Sequence, residues 1–481
     1  MGSINGKKYI ERLDKLKTEI WYDGQKITGK ISEHPAFKGL LQTKAHLYDM
    51  QLKPAFKDIM TFPSPTTGDP VGMSYLMPRT KEDLLKRRHM IELWARQTGG
   101  ILGRSPDYLN TVLTGLASSA AWLENRNNCF PDHLKAFHEK AREEDLSFTH
   151  TFISPQVNRS TMYFGESDEP IAARIVEENE KGILIKGARL LATQGGLTDE
   201  LLVFSVGKYF FNENEAFAFA IPSDTEGLRF ICRNSFVGGS SEFDHPLSSR
   251  YEEIDSIVVF DNVLVPWERV FYYKNAEVAE EFITVSGFHS FAKHQVITRQ
   301  IVKTEFILGL AELIVETINI GEYEHIQGKM SEIIIGLETM KALMEKAENH
   351  AALDEWGYMR PDLSTLKVAG TVFPKIYPRL CEIIQLLGAS GLITLPTEKA
   401  FASDIRKDLD LYVQGATKTA EERVKIFTLA WDLTMSAFGT RQTQYERYFF
   451  GDPIRLTSDL YKNYPKDKHA QAIRNFLKLK Q

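Results

Sequence analysis

Ile257-Val-Val-Phe-Asp-Asn-Val-Leu-Val265, closed by Pro266-Trp267, is a short apolar run rich in β-branched residues, and it reads as a strand. Two more β-type runs precede it, Gly182-Ile-Leu-Ile-Lys-Gly187 and Glu215-Ala-Phe-Ala-Phe-Ala-Ile221. Tyr209 to Asn214 and Asp224-Thr-Glu-Gly227 read as turns or loops between them. Strand character therefore extends over residues 146–275, and it is lost on both sides.

Upstream, the pattern of residues 1–145 is mainly helical. Thr80 is placed to cap a helix from Lys81, with Glu82 and Asp83 favourable in its first turn. That helix runs through Leu84, Leu85, Ile91, Leu93 and Trp94 and should stop at Gly99-Gly100. Downstream, over residues 276–481, the helical period returns. Phe306, Leu310, Leu313 and Thr317 keep one face, as do Ile333, Leu337, Met340 and Met344. Long helices with short breaks predict an antiparallel bundle. The fold class is α+β, in the order helical domain, β domain, helical bundle. The chain shows neither an internal repeat nor the alternating βαβ order of a dinucleotide-binding domain.

With 481 residues, 43% hydrophobic and 25% charged, the composition is that of a globular protein large enough for two or three structural units. A net charge of -6 argues against a nucleic-acid partner. Cys129, Cys232 and Cys381 are far apart and give neither a disulfide framework nor a metal knuckle, as expected of a cytoplasmic protein. The first residues lack an apolar signal core, and no apolar run reaches the ~18 residues of a membrane span. Asn158-Arg159-Ser160 fits a glycosylation acceptor, but no other feature points to secretion.

Several common chemistries lack their motifs. No GxGxxG follows a strand, no Gly-Lys pair is followed by Ser or Thr as in a Walker A loop, and HExxH and GxSxG are missing. A self-contained nicotinamide dehydrogenase, a P-loop NTPase and a zinc protease are thereby disfavoured.

Three constellations could carry chemistry. In Gly103-Arg-Ser-Pro-Asp-Tyr108, Pro106 can start a helix, which puts Arg104 at the junction and Tyr108 about one turn in, so both could face one spot. A capped helix start with Arg104 in a surface ion pair fits the same spacing. His150-Thr-Phe-Ile-Ser-Pro-Gln-Val-Asn-Arg159 is densely polar between β-type stretches. Gln156, Asn158 and Arg159 offer donors that suit a heterocycle edge or a phosphate, and His150 titrates near neutrality. A satisfied β-domain loop is the alternative. In Leu191-Ala-Thr-Gln-Gly-Gly-Leu-Thr198, Gly195 and Gly196 allow backbone close to a planar ligand and Thr193 adds a hydroxyl, although a plain turn would also use the glycines. His289 and His294, five apart and without a nearby Cys, read as structural rather than metal ligands.

These motifs, followed in order by Val259-Phe-Asp-Asn-Val-Leu-Val-Pro-Trp-Glu268 and Tyr445-Glu-Arg-Tyr-Phe-Phe-Gly-Asp-Pro453, resemble the oxygenase component of the 4-hydroxyphenylacetate 3-monooxygenase family over nearly the whole chain. The resemblance implies an acyl-CoA dehydrogenase-like fold with a β-barrel-like middle domain, assembled as a homotetramer (a dimer of dimers). It implies an FAD-dependent monooxygenase of aromatic catabolism that takes FADH2 from a separate flavin reductase. With O2, a C4a-hydroperoxyflavin would hydroxylate a phenol ortho to its hydroxyl, giving a catechol. This division of labour suits the missing nicotinamide motif.

By the same resemblance, Arg104, Tyr108 and His150 are catalytic: Arg104 favours phenolate, His150 accepts a proton or donates a hydrogen bond, and Tyr108 orients. Flavin contacts would come from His150, Thr151, Phe152, Gln156, Val157, Asn158, Arg159 and Thr193, with Tyr448, Gly451, Asp452 and Pro453 closing the site. The substrate would meet Arg104, Ser105, Pro106, Asp107, Tyr108 and His150, and the loop at Val206, Gly207 and Lys208, where Lys208 could pair with a carboxylate such as that of 4-hydroxyphenylacetate. No metal is expected. A 4-hydroxybutyryl-CoA dehydratase-like lyase is the runner-up, disfavoured because the cysteines for its iron-sulfur cluster are missing. A non-catalytic relative is the third reading.

Overall fold

A computed structural model describes residues 2–155, 170–205 and 212–479. The helix expected after Thr80 spans Lys81–Gln97. The Thr80 hydroxyl accepts from the Asp83 N–H at 3.1 Å, and the Asp83 carboxylate accepts from the Thr80 N–H at 3.2 Å. Two of the orphan donors at the helix start are thus satisfied reciprocally. At the other end Gly100, with φ +69°, returns its N–H to the Ala95 carbonyl at 2.8 Å. The following helix, Pro106–Ala117, begins on the proline and is buried along its whole length.

The middle of the chain folds into two sheets. Strands Phe148–Thr151, Glu200–Phe204, Phe217–Pro222 and Val270–Tyr273 form one, with Phe148–Thr151 at its edge and parallel to Glu200–Phe204. Gly182–Thr193 pairs antiparallel with Asp255–Pro266 in a second, six-stranded sheet. Period-two alternation then assigns faces. Leu201 and Val203, with Phe217, Phe219 and Ile221, join Ile185, Phe230, Val258 and Phe260 in one apolar cluster. Leu202, Phe204, Ala218 and Ala220 join a different cluster with the helical layer, including Tyr108, Val112, Leu116 and Phe148. Glu200–Phe204 is therefore buried on both faces. Alanines on the helix side of its neighbour let that layer approach closely.

Four short strands depart from the helical reading of the N-terminal region: Thr61–Pro63 and Pro70–Gly72 pair with each other, and Glu19–Tyr22 and Gln25–Lys26 join the six-stranded sheet. Glu19–Tyr22 is a strand that lies parallel to Leu228–Cys232 in the six-stranded sheet, with Ile20 opposite Phe230. Four residues cannot establish a period; the strand exists because a distant edge supplies its hydrogen bonds.

The C-terminal part is a bundle of Phe288–Ile318, Glu324–Asn349, Leu363–Gly388, Ala420–Thr434 and Ala437–Tyr448. Ile333, Leu337, Met340 and Met344 are buried as their spacing predicts. The stripe read through Leu313 is corrected: Leu313 is 41% exposed. The buried face runs through Ile307, Leu310, Ala311 and Ile314, about a quarter turn around the helix, with Leu313 at its rim. The last helix of the bundle is fastened to the first by Glu446, which pairs with Arg299 Nη1 at 2.6 Å and Lys303 Nζ at 2.9 Å, all fully enclosed. Pro453–Asn463 and Asp467–Phe476 follow with no buried residue. Among the described residues, no helix is long and apolar enough to cross a membrane.

Candidate active site

Arg104 lies in the turn between the first two helices described above, and its neighbours decide where it points. A buried carboxylate, Glu253, accepts from the backbone N–H groups of Gly103 at 2.8 Å and Arg104 at 2.6 Å. Gln194 joins the same clamp: its amide donates to the Arg104 carbonyl at 2.9 Å and to Glu253 at 3.0 Å, and its oxygen accepts from buried Lys44. Gln194 holds a left-handed φ of +63°, uncommon for a side-chain-bearing residue. The clamp thus takes the main chain of Arg104 and leaves the guanidinium free for other work.

That guanidinium stacks 4.2 Å over the Tyr108 ring and 4.4 Å from the Phe449 ring, with Tyr445 at 5.6 Å. Among the described residues no carboxylate pairs with it, and its Nε and Nη1, both shut from solvent, have no hydrogen-bond partner. The alternative of a surface ion pair is therefore set aside. A buried, unpaired donor pair on a fixed cation costs several kcal/mol unless a ligand satisfies it.

His150 reaches the same place from the edge strand. Alternation puts it beside Phe148 on the helix-facing side, where it stacks on Phe204 at 5.8 Å and lies 6.0 Å from the Tyr108 ring. Burial first, and the Arg104 charge second, hold its pKa well below the ordinary histidine value, so it is a neutral imidazole at pH 7. Phe152 stacks on Phe204 and lies tilted 5.3 Å from His150, and Phe288 meets Phe204 edge-on at 5.8 Å, which completes an aromatic wall.

Other expected residues take different places. Ser105 donates to Asp107, and Gln295 donates to the second Asp107 oxygen at 2.9 Å, so both side chains tie the helix start to the bundle. Pro106 is the first helical residue. Thr193 donates to Asp255 at 2.8 Å, while Asp255 is gripped by Arg441 and Arg233. Thr151 donates to the Leu190 carbonyl. Tyr448 is exposed, Gly451 has φ +103°, and Asp452 caps the helix that starts at Pro453. His294 Nε2 lies 2.9 Å from the Glu348 carboxylate. Gln156, Val157, Asn158 and Arg159, like Val206, Gly207 and Lys208, lie outside the described residues.

Phe449, Glu253, Gln194 and Tyr445 were not singled out from the sequence. Tyr445 and Phe449 sit in a run already noted, one helical turn apart, and that spacing is the signal that could have found them. Tyr445 also explains Gly103: a Cβ there would lie 2.4 Å from the Tyr445 hydroxyl and Cε1. Gly103→Ala should push the ring or the turn aside. The expected result is loss of most ligand affinity with near-wild-type far-UV circular dichroism. Unchanged ligand binding would show that the turn adapts.

Two family models match the chain, 4-hydroxyphenylacetate 3-hydroxylase N terminal over residues 5–272 and its C terminal counterpart over residues 279–478. A probable 4-hydroxyphenylacetate 3-monooxygenase of Bacillus subtilis is 62% identical over 477 residues, covering 99% of each chain. The 4-hydroxyphenylacetate 3-monooxygenase oxygenase component of Thermus thermophilus is 44% identical, covering 98% of this chain and 97% of that one. A crystal structure of such an oxygenase component, complexed with FAD and 4-hydroxyphenylacetate, superposes with a TM-score of 0.94 at 43% identity, covering 99% and 98%. An archaeal 4-hydroxybutyryl-CoA dehydratase superposes with a TM-score of 0.88 at 18% identity, which is a likeness of fold alone. On the family models and these identities, the chain belongs to the 4-hydroxyphenylacetate 3-hydroxylase family.

Proposed function

We propose that the chain is the FAD-dependent oxygenase component of a two-component phenol hydroxylase, acting on 4-hydroxyphenylacetate or a close relative and receiving FADH2 from a separate flavin reductase. The observation that carries this reading is the Arg104 guanidinium, with two enclosed nitrogens unpaired, facing Tyr108 beside a neutral His150. Relatives named as oxygenase components, one of them complexed with FAD and 4-hydroxyphenylacetate, support it.

The residues present fit a flavin. Stacked Phe152 and Phe204, with Phe288 edge-on to Phe204, give an aromatic wall beside His150, and Phe148–Thr151 is an edge strand with main-chain groups suited to a heterocycle. His150, Thr151, Phe152 and Thr193 would hold the ring, with Gln156, Val157, Asn158 and Arg159 on the adjoining segment and Tyr448, Gly451, Asp452 and Pro453 closing over it. Bound reduced FAD supplies, with O2, the oxygen atom that becomes the new hydroxyl. Arg104 lowers the cost of phenolate at the substrate oxygen and so enriches the ortho carbon. Neutral His150 accepts the phenol proton or a hydrogen bond, and Tyr108 fixes the oxygen between them. Ser105, Pro106 and Asp107 set the position of Arg104 and Tyr108 beside the ring, and Val206, Gly207 and Lys208 would meet the substrate tail. The aromatic wall keeps water from the reacting atoms.

A homotetramer fits the exposed Ile454, Tyr461 and Phe476 on terminal helices that bury nothing of themselves; light scattering would give its mass. Three free thiols fit a cytoplasmic setting. Residues 1–145, 146–275 and 276–481 serve as the three domains.

Because the His150 pKa is lowered, the acceptor form persists as pH falls, and protonation removes it only well below pH 6.5. The rate of catechol formation should therefore be independent of His150 titration from about pH 6 to 8. An acid limb near pH 6.5 that His150→Asn abolishes would contradict this. The direct test of function supplies chemically reduced FAD and O2 and screens phenols for catechols. Peroxide accumulating with no catechol from any phenol would overturn the assignment.

A further inference from the structure

Beside the aromatic wall lies a buried cation that the proposed chemistry does not use. Lys293 is one turn along the Phe288–Ile318 helix from His289 and only 5% exposed. Its ammonium sits 3.6 Å over the Phe450 ring. Across the helix boundary, a Cβ at Gly370 would come within 3.3 Å of Nζ, so the absent side chain there is what leaves the ammonium its space. Among the described residues no carboxylate pairs with Lys293. The charge that acts on Lys293 is that of Lys367, while burial, with Lys293 and Lys367, pushes the His289 pKa down to about 3 and leaves it a neutral imidazole. Burial first, and Lys367 second, push the Lys293 pKa down to about 7, the mark of a cation without a counter-ion. The place adjoins the candidate site on two sides. Phe450 follows Phe449, which covers Arg104, and Phe288 precedes His289 and packs on Phe204.

A buried lysine that faces a second lysine and a neutral imidazole, with no carboxylate beside it, costs free energy in the empty protein and is relieved by an anion. A structural lysine would instead show a carboxylate or a carbonyl at its head. We propose that Lys293, flanked by His289 and Lys367, is a subsite for an anionic oxygen group, carboxylate or phosphate, of a ligand bound in the neighbouring pocket. This rests on reading that pocket as a phenol and flavin site.

The test compares wild type with Lys293→Met and Lys293→Arg. Anaerobic calorimetry measures 4-hydroxyphenylacetate against 4-ethylphenol, and reduced FAD against reduced riboflavin. Lys293→Met is expected to weaken one anionic ligand roughly ten-fold or more and leave its neutral analogue unchanged. Loss confined to 4-hydroxyphenylacetate identifies the anion as the carboxylate; loss confined to FAD identifies the phosphate. Lys293→Arg should retain most of the affinity, and Lys293→Met should raise the Tm of the ligand-free protein, since it removes an uncompensated charge. Equal loss for charged and neutral ligands, or no loss for either, would overturn the subsite. A wild-type protein that binds none of the four would overturn the pocket reading and the subsite together, a failure distinct because it precedes any substitution.

Discussion

Arg104→Met is expected to lower kcat/KM for phenol hydroxylation by about 100- to 1000-fold, the range for removing one preorganised charge partner from a reacting oxygen. Methionine keeps the volume and the contact with Tyr108 and Phe449, so the aromatic stack should persist. What disappears is the fixed cation whose enclosed Nε and Nη1 lack partners. The acidity of a bound phenol separates this role from packing. An optical titration of a bound phenol should show a higher phenol pKa in the variant, while the same titration in Phe449→Leu should not move. Arg104→Lys should recover only part of the rate, because an ammonium cannot stack on two rings and present a planar fork. A variant with wild-type kcat/KM would remove Arg104 from the chemistry.

The second large effect is on stability. Glu446→Ala should cost about 3–5 kcal/mol, since it leaves Arg299 and Lys303 buried and facing each other. The two cations hold the Glu446 carboxyl far below its ordinary value despite the burial that opposes them. A depressed folded pKa contributes stability above the unfolded value of ~4.3 and loses it as pH falls towards the folded one. The Tm difference between wild type and variant should accordingly be constant from pH 6 to 8 and shrink only in strong acid. Replacing all three residues together by Met and Leu should be close to neutral, because the desolvation cost leaves with the charges. A single substitution that costs nothing would show that the ion cluster is not fastening the two helices.

Region order, the Thr80 cap and the Met340–Met344 stripe were legible because each depends on local spacing. Arg104 and Tyr108 were legible for the same reason, one turn apart across a proline. Leu313 misled because one face of a long helix can be read at more than one rotation when its spacings all suit. Glu253, Gln194 and Phe449 were not legible as partners of Arg104, because nothing local announces them. Glu253 stands 149 positions from Arg104, and an isolated glutamate in a sequence is most often a solvated one. The strand at Glu19–Tyr22 was missed because its pairing partner lies some two hundred residues away.

The clamp on Arg104 also bears on the order in which the protein comes apart. Its members, Gln194 just after Gly182–Thr193 and Glu253 just before Asp255–Pro266, are buried beside the six-stranded sheet, whereas past Phe450 the chain buries none of its two final helices. The two final helices, so lightly anchored, open first, at a small fraction of the global unfolding free energy. Heat should therefore loosen those helices, and with them the Tyr448 to Pro453 segment proposed to close the site, before it melts the sheets: catalytic activity should fall at a lower temperature than the far-UV circular dichroism, and reduced FAD with a phenol should draw the two transitions together. In such a protein the cover of the site is its loosest part, and its ligands act as its final fasteners.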